Sequence, residues 1–340
     1  MKITRYIYQG MLFPLLAFLL AGSVTGCSND PTMEEEEAYG KTSLVVTFRS
    51  ITTDSSQSTE YHDEYVETIR IVGFDVSGNL VCNGFYNNLE PVINQNSIEI
   101  IQELKKFQGG TCKLYFIANE SSYTTYNDNN DISLTEFLNK KDLTEPQLKD
   151  CIIKAFKNTD NWTVNPILMT AQASTYIQSG KTKQNIGTIE LVRCVAKIQL
   201  QIIDETGSAI ISGTPTLSGT YPSSYSLWNI ETYTNWTDEN YLVNLTKKED
   251  NKTSYTSEEI YFPERLFTKD NNETNALKFS FTLNDKNYTA AVTDQTGTDF
   301  NIHRNTHYTV IATLKKKENV EFNVLVNAWG EKTMDVPAFE

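Results

Sequence analysis

The chain has 340 residues, 43 acidic against 29 basic side chains, and a formal net charge of −14. That balance excludes a nucleic-acid-binding role, because phosphates require a basic footprint. With 39% hydrophobic residues and the length of about two ordinary domains, the chain can bury two cores.

Lys2 and Arg5 precede an apolar run from Met11 to Ala21, which ends in Val24, Thr25, Gly26 and Cys27. A basic start, a short apolar centre and small residues before a break define a signal peptide over residues 1–26. The apolar run is too short to span a bilayer comfortably. Cys27 behind Gly26 resembles a lipobox, in which the cysteine is acylated and becomes the first residue of the mature chain. Acyl chains there would hold the protein on a membrane. Residues 27–41 carry four consecutive acids, Glu34–Glu37, which repel one another and bury nothing, so this stretch reads as a solvated tether. Its position is also similar to the surface-export signal of Bacteroidetes lipoproteins.

From Thr42 onward the period is mostly two, the signature of strands. Leu44–Phe48 forms the first, presenting Leu44, Val46 and Phe48 on one face. A polar loop follows from Ser50 to Asp63. Thr68–Asp75 and Leu80–Phe85 flank a turn at Gly78. Cys112–Asn119 is apolar throughout and predicts a strand buried on both faces. Two short helices interrupt the pattern: Ser133 with Glu136, and Thr144 with Gln147, have the spacing of capping boxes. Strands resume at Ile167–Thr170, Ile186–Arg193 and Val195–Ile203, the last two reading as one long segment across a domain junction. Ser212–Asn251 has little periodicity and reads as long surface loops. Ile260–Phe262, Leu277–Leu283, Asn287–Val292, Tyr308–Leu314 and Val320–Ala328 complete an all-β chain, the last strand half-buried and closing a second sandwich.

Motifs for chemistry are thin. GxSxG, P-loop, HExxH and GxGxxG patterns do not occur in the sequence. The Asp/Asn cluster at Asn127–Asp131 misses the spacing of an EF-hand loop. His303 and His307 lead into a strand of period two and read as turn and strand-edge residues, not ligands. Cys82, Cys112, Cys151 and Cys194 allow two disulfides in three connectivities, while the apolar surroundings of Cys112 and Cys194 suit buried thiols; either state is open. Neither a cofactor nor a metal is expected.

Several segments together resemble the fimbrillin family of Bacteroidales, the FimA/Mfa-like subunits of type V pili. They are the lipobox ending at Cys27, Thr42–Phe48, Thr68–Asp75, Leu114–Asn119, Ile167–Thr170 and Leu191–Lys197. Tyr261–Glu264, Arg304–Tyr308 and Val326–Trp329 carry the same likeness near the C-terminus. The resemblance implies two tandem transthyretin-like β-sandwiches, over 42–193 and 194–340, with the short helices inserted in the first. It implies a structural pilus subunit contributing to adhesion and not an enzyme: a lipoprotein precursor at the outer membrane, then a cell-surface fimbrium. An Arg-specific protease would remove the first strand (Leu44, Val46, Phe48), and a strand from another copy or a related fimbrial subunit would fill the groove.

Given such a protease, Arg49 is the expected processing site. It is the one basic residue between Lys41 and Arg70, and a cut at Arg70 would sever a core strand. It sits nearer to the end of the first strand than the cleavable arginine of the family does. The tail 331–340 continues the alternation, with Met334, Val336 and Ala338 on one face and Pro337 suited to an inserted or edge strand; it is the expected donor strand. Alternatives are a pilus anchor that keeps its lipid and first strand, a tip adhesin, and a surface lipoprotein that stacks glycans on Tyr123, Tyr126, Trp228, Tyr233 and Trp236.

Overall fold

The computed structural model describes residues 41–50, 66–87, 89, 98–127, 130–155, 166–228, 236–249, 253–267, 271–315 and 319–328. Alternating apolar residues build the first half into seven strands of one sheet. These are β1 (Thr42–Ser50), β2 (Ile69–Asp75), β3 (Leu80–Tyr86), β4 (Ile98–Leu104) and β5 (Gly110–Ala118). An insertion follows: β6 (Thr124–Asn127), β7 (Asn130–Ser133), the helices α1 (Leu134–Leu138) and α2 (Glu145–Lys149), and β8 (Ile152–Lys154). Then β9 (Met169–Ile177) and β10 (Gln184–Arg193) complete the sheet, in the order β3-β2-β5-β9-β10-β1-β4.

The two ends of that order meet. Lys105 donates its backbone N–H to the Val81 carbonyl at 2.9 Å, and the Tyr86 hydroxyl donates to the Ile101 carbonyl at 3.1 Å. A Cβ at Gly84 of β3 would stand 2.1 Å from the Gln102 side chain of β4, so glycine is what lets the two strands approach. The sheet closes on itself around a core of Leu44, Val46, Phe48, Ile71, Phe116 and Leu191.

The layer β2-β5-β9 has a second buried face. Val72, Phe74, Tyr115 and Ile117 point away from the first core into a separate one, as the unbroken apolar run of β5 predicts. The insertion covers this face. Ser133 caps α1 by accepting from the Glu136 N–H at 3.1 Å, and Thr144 with Gln147 forms a full capping box on α2. Arg70 fastens the insertion from below. It is 1% exposed and grips the wholly buried Glu120 through two bonds of 2.7 Å, with Asn83 and Asn139 completing its shell.

Glu145 at the start of α2 holds the helix to β5. Burial raises its pKa, but hydrogen bonds from Lys149, Tyr115 and Lys113 together outweigh that and hold it down at about 2, against 4.5 ordinarily. A depressed carboxyl contributes stability that is whole above pH 4.5 and fades as the pH falls toward 2. The free energies of unfolding of wild type and Glu145→Gln, read from urea titrations, should therefore differ near neutrality, by about 3 kcal/mol at most, and converge in acid.

The second half begins after a single residue, Cys194, whose N–H turns to the Leu168 carbonyl at 3.0 Å. The long segment expected across the junction is thus two strands, broken where this bond leaves the ladder. The second half comprises β11 (Val195–Asp204), β12 (Ile211–Pro222), β13 (Ser224–Ser226), β14 (Trp236–Leu242), β15 (Leu245–Glu249), β16 (Thr253–Ser257), β17 (Ile260–Pro263), β18 (Lys278–Leu283), β19 (Lys286–Ala291), β20 (Thr306–Lys315) and β21 (Asn319–Ala328). One sheet runs β15-β16-β11-β20-β21, with β17 also on β11, and another runs β14-β12-β18-β19. They enclose Ile198, Leu200, Leu217, Phe279, Phe281 and Val310. The chain is all-β, two tandem sandwiches with two short helices.

Residues 212–251, expected as loops, instead supply strands β12 to β15. Leu217, Tyr221 and Val243 point inward, while Thr and Ser, which tolerate a half-exposed pleat, fill the other positions and hide the alternation. The last strand, β21, pairs with β20 along its whole length and leaves Val320, Val324 and Val326 half-buried on the core.

Candidate strand-exchange site

Strand β1 is the candidate site, and its neighbours come from distant parts of the chain. It runs antiparallel to β4 from Thr42↔Leu104 to Phe48↔Ile98 and parallel to β10 from Leu44↔Gln184 to Ser50↔Leu191. Leu44 and Val46 are fully buried and Phe48 is 1% exposed. The Phe48 ring meets Phe116 edge-on at 5.3 Å. Burying three such side chains contributes on the order of 5 kcal/mol before ordering costs.

The beginning of β1 is held by the β9–β10 turn. Thr42 Oγ1 accepts from the Gly180 N–H at 2.9 Å, and Ser43 Oγ accepts from the Lys183 N–H at 2.9 Å. Midway, β10 carries one extra residue between the partners of Val45 and Thr47. Gly187 takes it up at φ +90°, with its N–H bound to Asn185 Oδ1. This bulge interrupts the parallel ladder, where pairing is already slightly weaker than in an antiparallel one.

The core that β1 completes also holds two thiols. Cys82 on β3 and Cys112 on β5 both press on Gly73 of β2, where a Cβ would stand 2.7 and 3.4 Å from their sulfurs. Burial pushes both thiols up, Cys112 to about 12. With β2 between them, their Cα atoms are separated by two strand spacings, roughly 9.5 Å, beyond the reach of a disulfide. Cys151 and Cys194 are likewise free and buried.

Leu44, Val46 and Phe48 thus come together as one buried face. Arg49 lies on β1, paired in register with Glu190, and Ser50 with Leu191; the β4 ladder stops two residues before Ser50, at Phe48. Cys27, Met334, Val336 and Ala338 lie outside the described residues. Of the aromatic residues considered for sugar stacking, Tyr123 and Trp228 are 1% and 7% exposed. Tyr123 donates to the Pro166 carbonyl and accepts from the Leu168 N–H, so both are packing residues. Tyr126 is exposed, Tyr233 lies outside the described residues, and Trp236 is described only as the first position of β14. Among the described residues no group of three His, Cys, Asp or Glu side chains could hold a metal. The walls of the site, β4 and β10, were missed as partners of β1. Ile100, Gln102 and Leu104 alternate on β4 and their period of two was readable, whereas the pairing was not.

The fold defines a tandem β-sandwich protein whose first described strand completes a core between two strands remote in sequence. The chain belongs to the family described as fimbrillin-A associated anchor proteins Mfa1 and Mfa2, which matches residues 33–335. It is therefore a fimbrial adhesion protein of the type V pilus kind, not an enzyme, and associates with other fimbrial subunits at the cell surface. Its fold is similar to that of the C-terminally truncated tip fimbrial protein Mfa3 from Porphyromonas gingivalis, at TM-score 0.58 and 14% identity, over 85% of this chain and 100% of that one. A candidate cell adhesion protein from Parabacteroides distasonis matches at TM-score 0.53 and 13% identity, over 84% and 97%. One from Bacteroides eggerthii matches at 0.51 and 15%, over 86% and 97%. No curated protein sequence matches the chain.

Proposed function

We propose that the chain is a fimbrial subunit delivered to the outer membrane as a lipoprotein through Cys27 and assembled by strand exchange at β1. The burial of Leu44, Val46 and Phe48 between β4 and β10 carries this reading. Removal of β1 by an Arg-specific protease at Arg49 would leave two unpaired strand edges and an open apolar core. A strand from another copy, or from a related fimbrial subunit, would restore both by β-augmentation. Met334, Val336 and Ala338 of the tail would present the matching apolar face.

A second reading has its own observation. Arg49 and Ser50 both lie in the β10 ladder, where a protease reaches the peptide bond only after local opening. A chain that resists this cut keeps Cys27, its lipid and β1, and serves as an anchor, which agrees with the family's description. N-terminal sequencing of material from intact cells separates the two. A start at Ser50 that is lost in Arg49→Ala supports the subunit, and a blocked Cys27 on an uncut chain supports the anchor. A start elsewhere, unchanged in Arg49→Ala, would overturn cleavage at this residue.

A further inference from the structure

We infer that Ser223–Trp228 is a clasp that makes the two sandwiches a single cooperative unit. The segment belongs to the second half by sequence, yet its backbone is built into the first. Its strand β13 pairs with β8, Ser224↔Lys154 to Ser226↔Ile152. On one side of that ladder Ala155 donates to the Ser223 carbonyl at 2.9 Å, and on the other Leu227 donates to the Cys151 carbonyl at 3.0 Å. Trp228 then reaches into the insertion. Its Nε1–H donates to the Leu148 carbonyl at 2.6 Å, near the end of α2, and its ring meets Tyr115 of β5 edge-on at 5.2 Å.

The second sandwich grips the same six residues from its own side. Arg304 donates to the Leu227 carbonyl at 3.1 Å and to the Ser226 carbonyl at 2.9 Å. Its guanidinium is fixed at 2.8 Å by Glu264, whose side chain is 2% exposed. The Leu227 carbonyl also accepts from Thr170 of β9 at 3.4 Å, so one oxygen takes donors from both halves. Around the clasp the apolar core is continuous: Val72, Tyr115 and Ile153 of the first half share it with Tyr225, Ile198 and Phe262 of the second.

Domains joined by a short linker normally move and unfold separately unless their interface is large and apolar. Here separation would strip a strand ladder, uncover a tryptophan and expose carbonyls held by a buried ion pair. The two halves therefore open together. A pull along the chain is shared between the backbone at Cys194 and the clasp, so the molecule does not bend at that residue. This holds whether or not β1 is exchanged.

The test is urea unfolding of the full chain, read by hydrogen exchange in peptides from β2 and β5 and, separately, from β11 and β20. In wild type the two sets should lose protection at one midpoint. Leu283→Ala, at the end of β18 in the second half, should lower both midpoints equally. Trp228→Ala should separate them by roughly 1 M urea. Trp228→Phe, which keeps a ring and loses the Leu148 bond, should give a smaller separation and serves where the alanine variant does not fold. Two midpoints in wild type, or coincidence in both Trp228 variants, would overturn the clasp.

Discussion

Phe48→Ala is expected to lower the free energy of unfolding by about 3–5 kcal/mol, the usual cost of emptying a buried aromatic site. The urea midpoint should fall with the slope unchanged. The cavity would open against Phe116, in the closed first core and not in the core shared by both halves. Cys82 and Cys112 belong to that first core, and Cys151 and Cys194 to the other. Under native conditions the first two thiols should then react with a labelling reagent more than about a hundredfold faster than in wild type, since 1.4 kcal/mol is tenfold. Cys151 and Cys194, reached only when the whole molecule opens, should react more slowly than the first pair in wild type and variant alike. Equal rates at all four cysteines would mean that β1 opens only with the whole molecule, and would count against a separable strand.

Arg70→Met should cost a similar amount, about 3–5 kcal/mol, because it leaves the wholly buried Glu120 charged and unpaired. Arg70→Met combined with Glu120→Gln should recover much of that loss, since the buried charge goes with its partner. The four proteins of this cycle, compared by urea midpoint, isolate the coupling. A single Arg70→Met variant as stable as wild type would show that Glu120 finds its stabilisation elsewhere.

Much of this architecture is legible wherever one face of a strand is apolar and the other is not. β1, β18 and β20 announce themselves that way. β5 does so through an unbroken apolar run, which correctly implies two buried faces. β12 escaped notice because few of its twelve residues, Leu217 and Tyr221 among them, bring a large apolar side chain inward. Gly213 turns at φ +72° within it, and the register slips between Ser212 and Thr216. Its pairing with β14 and β18 supplies the order that its composition lacks.

The candidate site divides in the same way. Its apolar face is local, three alternate residues of one strand, and could be read directly. Its walls are non-local, and nothing in Ile98–Leu104 or Gln184–Arg193 names β1 as the partner. The clasp was unreadable for a further reason. Ser224, Tyr225 and Ser226 are all buried, a three-residue pattern too short to have a period, and Trp228 reads as a partly packed aromatic of a surface loop.

The parallel pairing of β1 with β10 also sets the order in which the molecule can form. Ser43 and Lys183, joined at the mouth of that ladder, are 140 residues apart. Closing so long a loop costs about 3 kcal/mol more than closing a short hairpin, and contacts of such separation form slowly. Synthesis delivers β1 first and β10 much later. The earliest described strand can meet β4 early, but its second partner exists only after more than half of the chain has been made, and it is the natural candidate for the last to dock between both. Its departure would then retrace the final step of folding.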